Sequence, residues 1–306
     1  MPSWGEVLEK IKYNTSANPL DLLRRQYLRT MYEYTGRNVI AYYSCFLSNP
    51  RANVSIDDGD KNAFMQAIHG LDTSKGLDII LHTPGGNFAA TESIVYYLRT
   101  MFGKDIRAFV PQIAMSAGTM IALSCKEIVM GKQSNIGPID PQFNGISCAG
   151  VIEEFNKAMR DIKRNPERVP IWQVIVSRYH PTFIGDCKKA IEWAERTVTE
   201  WLSSNMLSGN PNPKKEAVRI VRELGSHKKT FSHSKHIHFD ECNSMGIKVV
   251  HLEGLDTRKI GGCEDLQDCV LTIHHTYMHT FSKSTAVKIV ENHMGNAMIT
   301  TLKVSK

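Results

Sequence analysis

The sequence predicts an α/β fold with a mostly parallel central sheet. Apolar runs of strand length alternate with helical patterns from about residue 38 to residue 143, which is typical of parallel sheets with right-handed crossovers. Two of the strands end in turns of small residues that lead directly into helices. The chain has 306 residues, of which 42% are hydrophobic and 22% charged. These values suit one large domain with helical additions.

The N-terminal part is predicted to be a helical arm over residues 1–36. Its apolar residues recur at helical spacing, and a first strand, Asn38–Ser44, and a crossover helix over residues 57–69 follow it. The apolar stripe of the arm consists of Leu20, Leu22, Leu23, Tyr27, Leu28 and Tyr32.

Two neighbouring strand-to-helix turns carry the strongest functional signal. Gly85 and Gly86 follow the strand Leu77–His82, and Ser116 follows the strand Ile106–Val110. Helix N-termini present unpaired backbone N–H groups and a positive partial charge. Two of them side by side can hold an oxyanion next to a serine, as serine hydrolases require. The alternative is an ordinary glycine-rich turn in a parallel sheet, with Ser116 only capping its helix.

The rest of the chain is predicted to be largely helical. Residues 150–205 form two amphipathic helices separated by prolines, and residues 216–224 form another after a turn-rich break. In the last part, residues 270–275 are predicted as a strand and residues 285–293 as a short helix.

Four segments together resemble one protein family. They read HTPGG at residues 82–86, AMSAGT at 114–119, NIGPIDPQ at 135–142 and YHPT at 179–182. The chain resembles the serine dehydrogenase proteinase family, relatives of signal peptide peptidase A within the ClpP/crotonase superfamily. The resemblance extends from about residue 38 to residue 250. It implies a ClpP/crotonase-like repeated ββα spiral, with an arm at 1–36, a peptidase domain at 37–250 and an extension at 251–306.

The resemblance also implies the chemistry. Ser116 corresponds to the family's nucleophile, and the amides of Gly85, Gly86 and Ala117 would form the oxyanion hole. The protein would then be a serine-type endopeptidase that hydrolyses peptides or unfolded segments without a cofactor. A homo-oligomer is expected, because this fold usually encloses its active sites within rings.

The general base is left open by the sequence. Residues 134–142, where ClpP proteases carry their histidine, contain none. The segment that matches the lysine of signal peptide peptidases reads Tyr179-His180, so His180 is a candidate because a histidine titrates near neutrality. Lys188 and Lys189 on the following helix are further candidates. Asp140 either orients the base or only shapes its turn.

Two other functions compete with the peptidase. The first is a catalytically inactive ClpP-like scaffold that binds peptides or partner proteins in the same groove. The second is an acyl-CoA enzyme that uses the two amides to hold an enolate, which the serine of the second turn disfavours.

A group of histidines raises the question of a metal site. His233, His236, His238 and Cys242 could be arranged as zinc ligands, with His227 nearby. Residues 236–239 alternate between polar and apolar side chains, however, which favours a strand with exposed histidines. We therefore expect no metal.

The composition of the chain indicates where the protein is located and what it binds. The seven cysteines are scattered without paired spacing, which favours reduced thiols in the cytoplasm. There is no apolar run long enough to span a membrane, and the N-terminus lacks the apolar core of a signal peptide. The net charge of +6 is dispersed, so nucleic-acid binding is not expected.

Overall fold

A seven-stranded sheet forms the centre of the protein in a computed structural model that describes residues 3–50, 52–226 and 230–302. The strands lie in the order β11-β10-β1-β2-β3-β5-β9. Strands β1, β2, β3, β5 and β9 pair in parallel, whereas β10 is antiparallel to both of its neighbours. The predicted α/β class with a mostly parallel sheet is confirmed. The strands are β1 (Asn38–Ser44), β2 (Leu77–His82), β3 (Ile106–Val110), β5 (Glu127–Met130), β9 (Val249–His251), β10 (Ala286–Asn292) and β11 (Ala297–Thr301).

Four shorter strands form two small ribbons next to this sheet. The strands β4 (Ile113–Ala114) and β6 (Asn135–Ile136) pair in parallel, and β7 (Gln142–Phe143) pairs with β8 (Ile146–Ser147) in antiparallel fashion. The first ribbon lies directly before Ser116 and directly before the loop that contains Asp140.

Helices cover both faces of the sheet. The N-terminal arm consists of α1 (Trp4–Lys12) and α2 (Pro19–Thr35), and α11 (Leu266–Lys283) packs against both of them. The other helices are α3 (Asp58–Ile68), α4 (Phe88–Phe102), α5 (Ala117–Ser124), α6 (Cys148–Arg164), α7 (Val169–Val176), α8 (Phe183–Ser204), α9 (Pro213–Gly225) and α10 (Phe239–Ser244), with 3-10 turns at Thr73–Lys75 and Pro166–Arg168.

Alternating side chains of the strands divide the core into two clusters. Leu77, Ile79 and Leu81 of β2 join one cluster with residues of α3, α4, α5, α8 and α9, whereas Ile80 joins the other with residues of α1, α2 and α11. Successive residues of a strand point to opposite faces, and burial on both faces explains why the parallel strands read as continuous apolar runs.

Two sequence predictions for the last part of the chain were wrong. Residues 270–275 belong to the long helix α11, whose first turn Asp265 caps by accepting a hydrogen bond from the Asp268 amide at 2.6 Å. Residues 285–293, predicted as a helix, contain the fully buried strand β10, which pairs with β1. Neighbouring elements override the local pattern in both cases, because α11 is buried on most of its circumference and β10 lies between two strands.

The helical region after the ribbons also differs from its prediction. Three helices, α6, α7 and α8, occupy the segment predicted to hold two. Pro170 lies in the first turn of α7, where a proline is tolerated because that backbone N–H needs no intrahelical partner. Among the described residues, no helix combines the length and apolar character that crossing a bilayer requires. His227 lies outside the described residues.

Candidate active site

The carboxyl ends of β2 and β3 open into a cleft of about 1050 Å³. Ser116, Gly86, Ala117, Asp140 and His233 all line it, and we call it the serine cleft. Ligands of open parallel sheets bind outside the carboxyl ends of the strands. The two turns singled out in the sequence therefore meet where a substrate is expected.

The turn before α5 holds Ser116 in an unusual backbone conformation. Its φ of 51° and ψ of −116° lie where residues other than glycine are rare. Such strain persists only where the surroundings enforce it, and it is concentrated at functional sites. The hydroxyl makes no capping bond to the backbone of α5. Helix capping, the alternative role for Ser116, is therefore not what its side chain does in this structure.

The glycine turn after β2 is held on two sides. The amide of Ile56 donates to the Gly85 carbonyl at 2.8 Å, and the Asn87 amide donates to the Ile56 carbonyl at 2.9 Å. A Cβ on Gly86 would lie 2.2 Å from the backbone nitrogen of Ile56. Only glycine fits there without moving a neighbouring backbone.

The backbone amides of the two turns differ in their availability. The Gly85 amide already donates to Thr83 Oγ1 at 3.1 Å. Within the described residues, the amides of Gly86 and Ala117 remain without an acceptor. Of the three amides implied by the family resemblance, these two are free to donate to a ligand in the serine cleft.

A buried carboxylate holds a histidine at the wall of the same cleft. Asp140 Oδ1 lies 2.7 Å from Nδ1 of His233. The Asp140 side chain is 1% exposed and that of His233 25%. The second carboxylate oxygen, Oδ2, has no partner among the described residues. Asp140 therefore orients the His233 ring with one oxygen while the ring keeps contact with solvent.

Backbone contacts tie Asp140 and His233 to the serine turn. Thr119 Oγ1 accepts from the Gly137 amide at 2.9 Å and donates to the Ala114 carbonyl at 2.8 Å. On the other side, Ile237 and Ile136 exchange backbone hydrogen bonds of 2.9 and 3.0 Å. The segment that carries His233 is thus fixed to β6, and β6 leads into the loop of Asp140.

The match to known proteins decides the family. Residues 16–251 match the family described as ClpP-like SDH-type serine proteinase. The chain belongs to this family. The match includes both turns of the serine cleft, Asp140 and His233, and it confirms the resemblance found in the sequence.

Two individual proteins are similar to this chain in sequence. The chain is similar to the uncharacterized protein MJ1495 of Methanocaldococcus jannaschii, with 29% identity over 64% of the chain and 59% of that protein. It is also similar to the uncharacterized protein MJ0137 of the same organism, with 33% identity over 35% of the chain and 37% of that protein. The chain thus spans less than two thirds of the length of either relative.

The chain is also similar to a protein among the solved structures. It is a mutant of the 1510-N membrane-bound stomatin-specific protease, 17% identical in sequence. The similarity covers 69% of this chain and 86% of that one, with a TM-score of 0.39.

The base candidates taken from the sequence lie in different places in the structure. His180 lines the serine cleft and is exposed, with its Nδ1 3.1 Å from Thr182 Oγ1. Lys189 also lines the cleft, whereas Lys188 is exposed on α8 and is not among the lining residues. Sequence reasoning named Asp140 but overlooked His233 as its partner.

The side chains that the sequence raised as an alternative zinc site have separate partners. His233 pairs with Asp140, and His236 Nδ1 with Asn135 Oδ1. Cys242 is buried, with its thiol directed at the Ile237 carbonyl. No group of three or more His, Cys, Asp or Glu side chains in residues 3–50, 52–226 and 230–302 is arranged to hold a metal ion.

Proposed function

We propose that the protein is a serine endopeptidase in which Ser116 is the nucleophile, His233 the general base and Asp140 the group that orients the base. The observation that carries the proposal is the 2.7 Å contact between Asp140 and His233 in the wall of the cleft that holds Ser116. Nucleophile, base and orienting carboxylate are the three parts that such catalysis requires.

The tautomer of His233 follows from its contact with Asp140. The N–H group at Nδ1 donates a hydrogen bond to the buried carboxylate of Asp140. The unprotonated nitrogen, Nε2, is then the basic atom. Nε2 takes the proton of the Ser116 hydroxyl as Oγ attacks the substrate carbonyl. The same proton then passes from Nε2 to the leaving amine, and water hydrolyses the acyl-enzyme by the reverse sequence.

The amides of Gly86 and Ala117 are proposed to hold the oxyanion. Both are free to donate and both border the cleft. Removal of one oxyanion donor typically lowers the rate by ~10²–10³. The Gly85 amide, bonded to Thr83, is assigned to the support of the turn rather than to the oxyanion.

The lining of the cleft supports an extended peptide as the substrate. Aromatic side chains of Phe88, Phe143, Phe183 and Trp193 line it together with Met120. Apolar lining with a few placed polar groups is typical of sites that bind organic ligands. We infer that peptides or unfolded segments with apolar residues next to the scissile bond are preferred.

Location and assembly remain part of the proposal. All seven cysteines are buried free thiols, which supports a reducing compartment such as the cytoplasm. A homo-oligomer is proposed as well, and light scattering of the purified protein would test it.

Labelling with a fluorophosphonate, followed by intact-mass measurement, tests the mechanism. We expect one label on the wild type, none on Ser116→Ala, and at least a hundredfold slower labelling of His233→Gln. His180→Gln and Lys188→Gln/Lys189→Gln are the matched controls and should label at the wild-type rate. Unchanged labelling of His233→Gln together with loss in a control would transfer the role of base to that control residue. A folded wild type that never labels would contradict the peptidase.

A further inference from the structure

Helix α7 presents apolar side chains to solvent. Ile171 is 62% exposed and Val174 61%, and Val169 and Ile175 are exposed to 41% and 38%. Ile171, Val174 and Ile175 follow the i, i+3, i+4 spacing of one helix face. An exposed apolar face that interrupts a polar surface marks an interaction site. We call this face the α7 face.

The fold holds the α7 face outward. Trp172, which directly follows Ile171, is buried instead: it is 7% exposed, and its Nε1 donates to Asp161 of α6 at 2.9 Å. Lys157 of α6 lies over the same indole ring. Because Trp172 fixes α7 against α6, the α7 face cannot turn inward without breaking that buried contact.

Positive charge is concentrated in the stretch of chain that contains α7. Residues 157–180 contain six Lys or Arg residues and two Asp or Glu residues, so this short segment carries +4 of the chain's net +6. One of the two acidic residues, Asp161, is already engaged by Trp172 and Arg168. The other basic residues of the segment are also exposed: Arg160, Lys163 and Arg164 on α6, and Arg178 just after α7.

We propose that the α7 face docks on an anionic lipid surface. An exposed apolar helix face flanked by Lys and Arg is the arrangement by which helices bind in the headgroup region of a bilayer. Anionic lipids attract such basic segments, and the attraction falls off within a Debye length. Self-association through the same face is disfavoured, because a twofold axis would bring two +4 segments together.

Docking would bring the serine cleft close to the membrane. The chain runs from the C-terminal end of α7 through His180 into α8, and His180, Phe183 and Lys189 line the cleft. Lipid binding does not require a nucleophile, so Ser116→Ala should bind vesicles as the wild type does. Failure of the peptidase proposal is thereby distinguishable from failure of the docking proposal.

Vesicle flotation tests the docking. The full chain is mixed with vesicles of phosphatidylglycerol and phosphatidylcholine in equal parts, or with phosphatidylcholine alone. We expect flotation only with the anionic vesicles, and its loss at high salt. Lys163→Gln/Arg164→Gln should weaken binding by about 25-fold, roughly fivefold for each charge removed. Ile171→Ser/Val174→Ser should weaken it at least tenfold by removing apolar contact, an order-of-magnitude expectation.

Control variants change the same residue types on other surfaces. Lys12→Gln/Arg29→Gln removes two exposed charges from α1 and α2, and Leu22→Ser/Met294→Ser removes two exposed apolar side chains. Both should float as the wild type does. Equal flotation of all variants, or none with anionic vesicles, would overturn the proposal. A wild-type dimer in light scattering that Ile171→Ser/Val174→Ser converts to a monomer, without vesicle binding, would assign the face to a second copy.

Discussion

Gly85 lies so close to Ser116 that a Cβ on the glycine would be 2.7 Å from the serine Cβ. The same added carbon would lie 2.9 Å from the Ala117 nitrogen, and the φ of 96° at Gly85 disfavours any side chain. The proposed nucleophile and the proposed oxyanion donor therefore both lie against the glycine turn.

Gly85→Ala should abolish most of the activity. The methyl group would displace Ser116 and the Ala117 amide, so we expect at least a ~10²-fold loss of fluorophosphonate labelling, the scale of one lost oxyanion donor. Gly70→Ala is the matched control, because Gly70 also has a positive φ but no atom within 4 Å of the added carbon. If both variants label at the same rate, the contact with Ser116 has no role in the reaction.

Asp140→Asn should impair the orientation of His233 without impairing substrate binding. An amide in place of the carboxylate favours the wrong tautomer of His233, and such a change in a catalytic triad lowers the turnover rate by up to about 10⁴. We expect kcat to decrease by ~10²–10⁴ with KM for a peptide substrate nearly unchanged. Asp186→Asn, in the same cleft but bonded to Thr182, should keep its kcat. An equal loss in both variants would argue for a general effect of charge in the cleft.

His82 should make the protein sensitive to acid. Burial lowers the pKa of its imidazole to about 3, whereas a histidine in an unfolded chain titrates near ~6.5. Between these values the unfolded chain binds a proton that the folded protein does not, so stability decreases as the pH falls below about 6.5. The decrease continues until the pH approaches 3. From pH 6.5 to pH 5, His82 alone should cost about 2 kcal/mol.

Urea unfolding at several pH values measures this effect. His82→Leu should reduce the slope of the unfolding free energy against pH over this range. The reduction should correspond to about one proton fewer taken up on unfolding. His274, whose ring centroid lies 5.0 Å from that of His82, also has a pKa well below its ordinary value because of burial, so part of the acid sensitivity should remain. His238→Leu, at an exposed position, should keep the full wild-type slope. An unchanged slope in His82→Leu would assign acid sensitivity to other groups.

Glu291→Gln should destabilise the fold strongly. Arg24 Nε donates to Glu291 Oε2 at 2.8 Å, and both side chains are fully buried. Loss of Glu291 leaves the buried Arg24 guanidinium with only the partly exposed Asp21 as a counter-ion, and breaking a buried pair typically costs about 3–5 kcal/mol. Thermal and urea unfolding should show a loss of this size, whereas Glu154→Gln in the exposed pair with Lys157 should cost less than about 1 kcal/mol. Similar losses in the two variants would mean that the buried pair contributes no more than a surface pair.

Parts of the fold with strong local signals could be predicted from the sequence. The strands β1, β2 and β3 have the predicted bounds, because each is a mostly apolar run, and β2 and β3 are followed by turns of small residues. In the last part of the chain, Thr272 and Thr276 imitate a strand in composition. In α11 their hydroxyls bond to the carbonyls one turn earlier, Asp268 and Thr272. Packing against neighbouring elements, and not the intrinsic propensity of these threonines, therefore makes this segment helical.

The site was predictable where its parts are close in sequence. Ser116 and the glycine turn lie on consecutive strand-to-helix connections, and the pattern of small residues marks them. His233 lies 93 residues after Asp140, in a segment without strong periodicity, so nothing local marks it as the partner of a carboxylate. Their contact depends on the pairing of Ile237 with Ile136, and only the tertiary structure reveals that pairing.

The position of β10 beside β1 has a consequence for synthesis of the protein. The register pairs Ile40 with Asn292 and Tyr43 with Ile289. The neighbour of β1 on this side is therefore synthesised about 250 residues after β1 itself. At a typical ~5–20 residues per second, that interval lasts roughly 10 to 50 seconds. By the end of this interval the nascent chain contains Ser116, Asp140 and His233, but one edge of β1 is still unpaired and Arg24 still lacks Glu291. A finished sheet, and a firmly supported cleft, must therefore wait until residues 286–292 have left the ribosome.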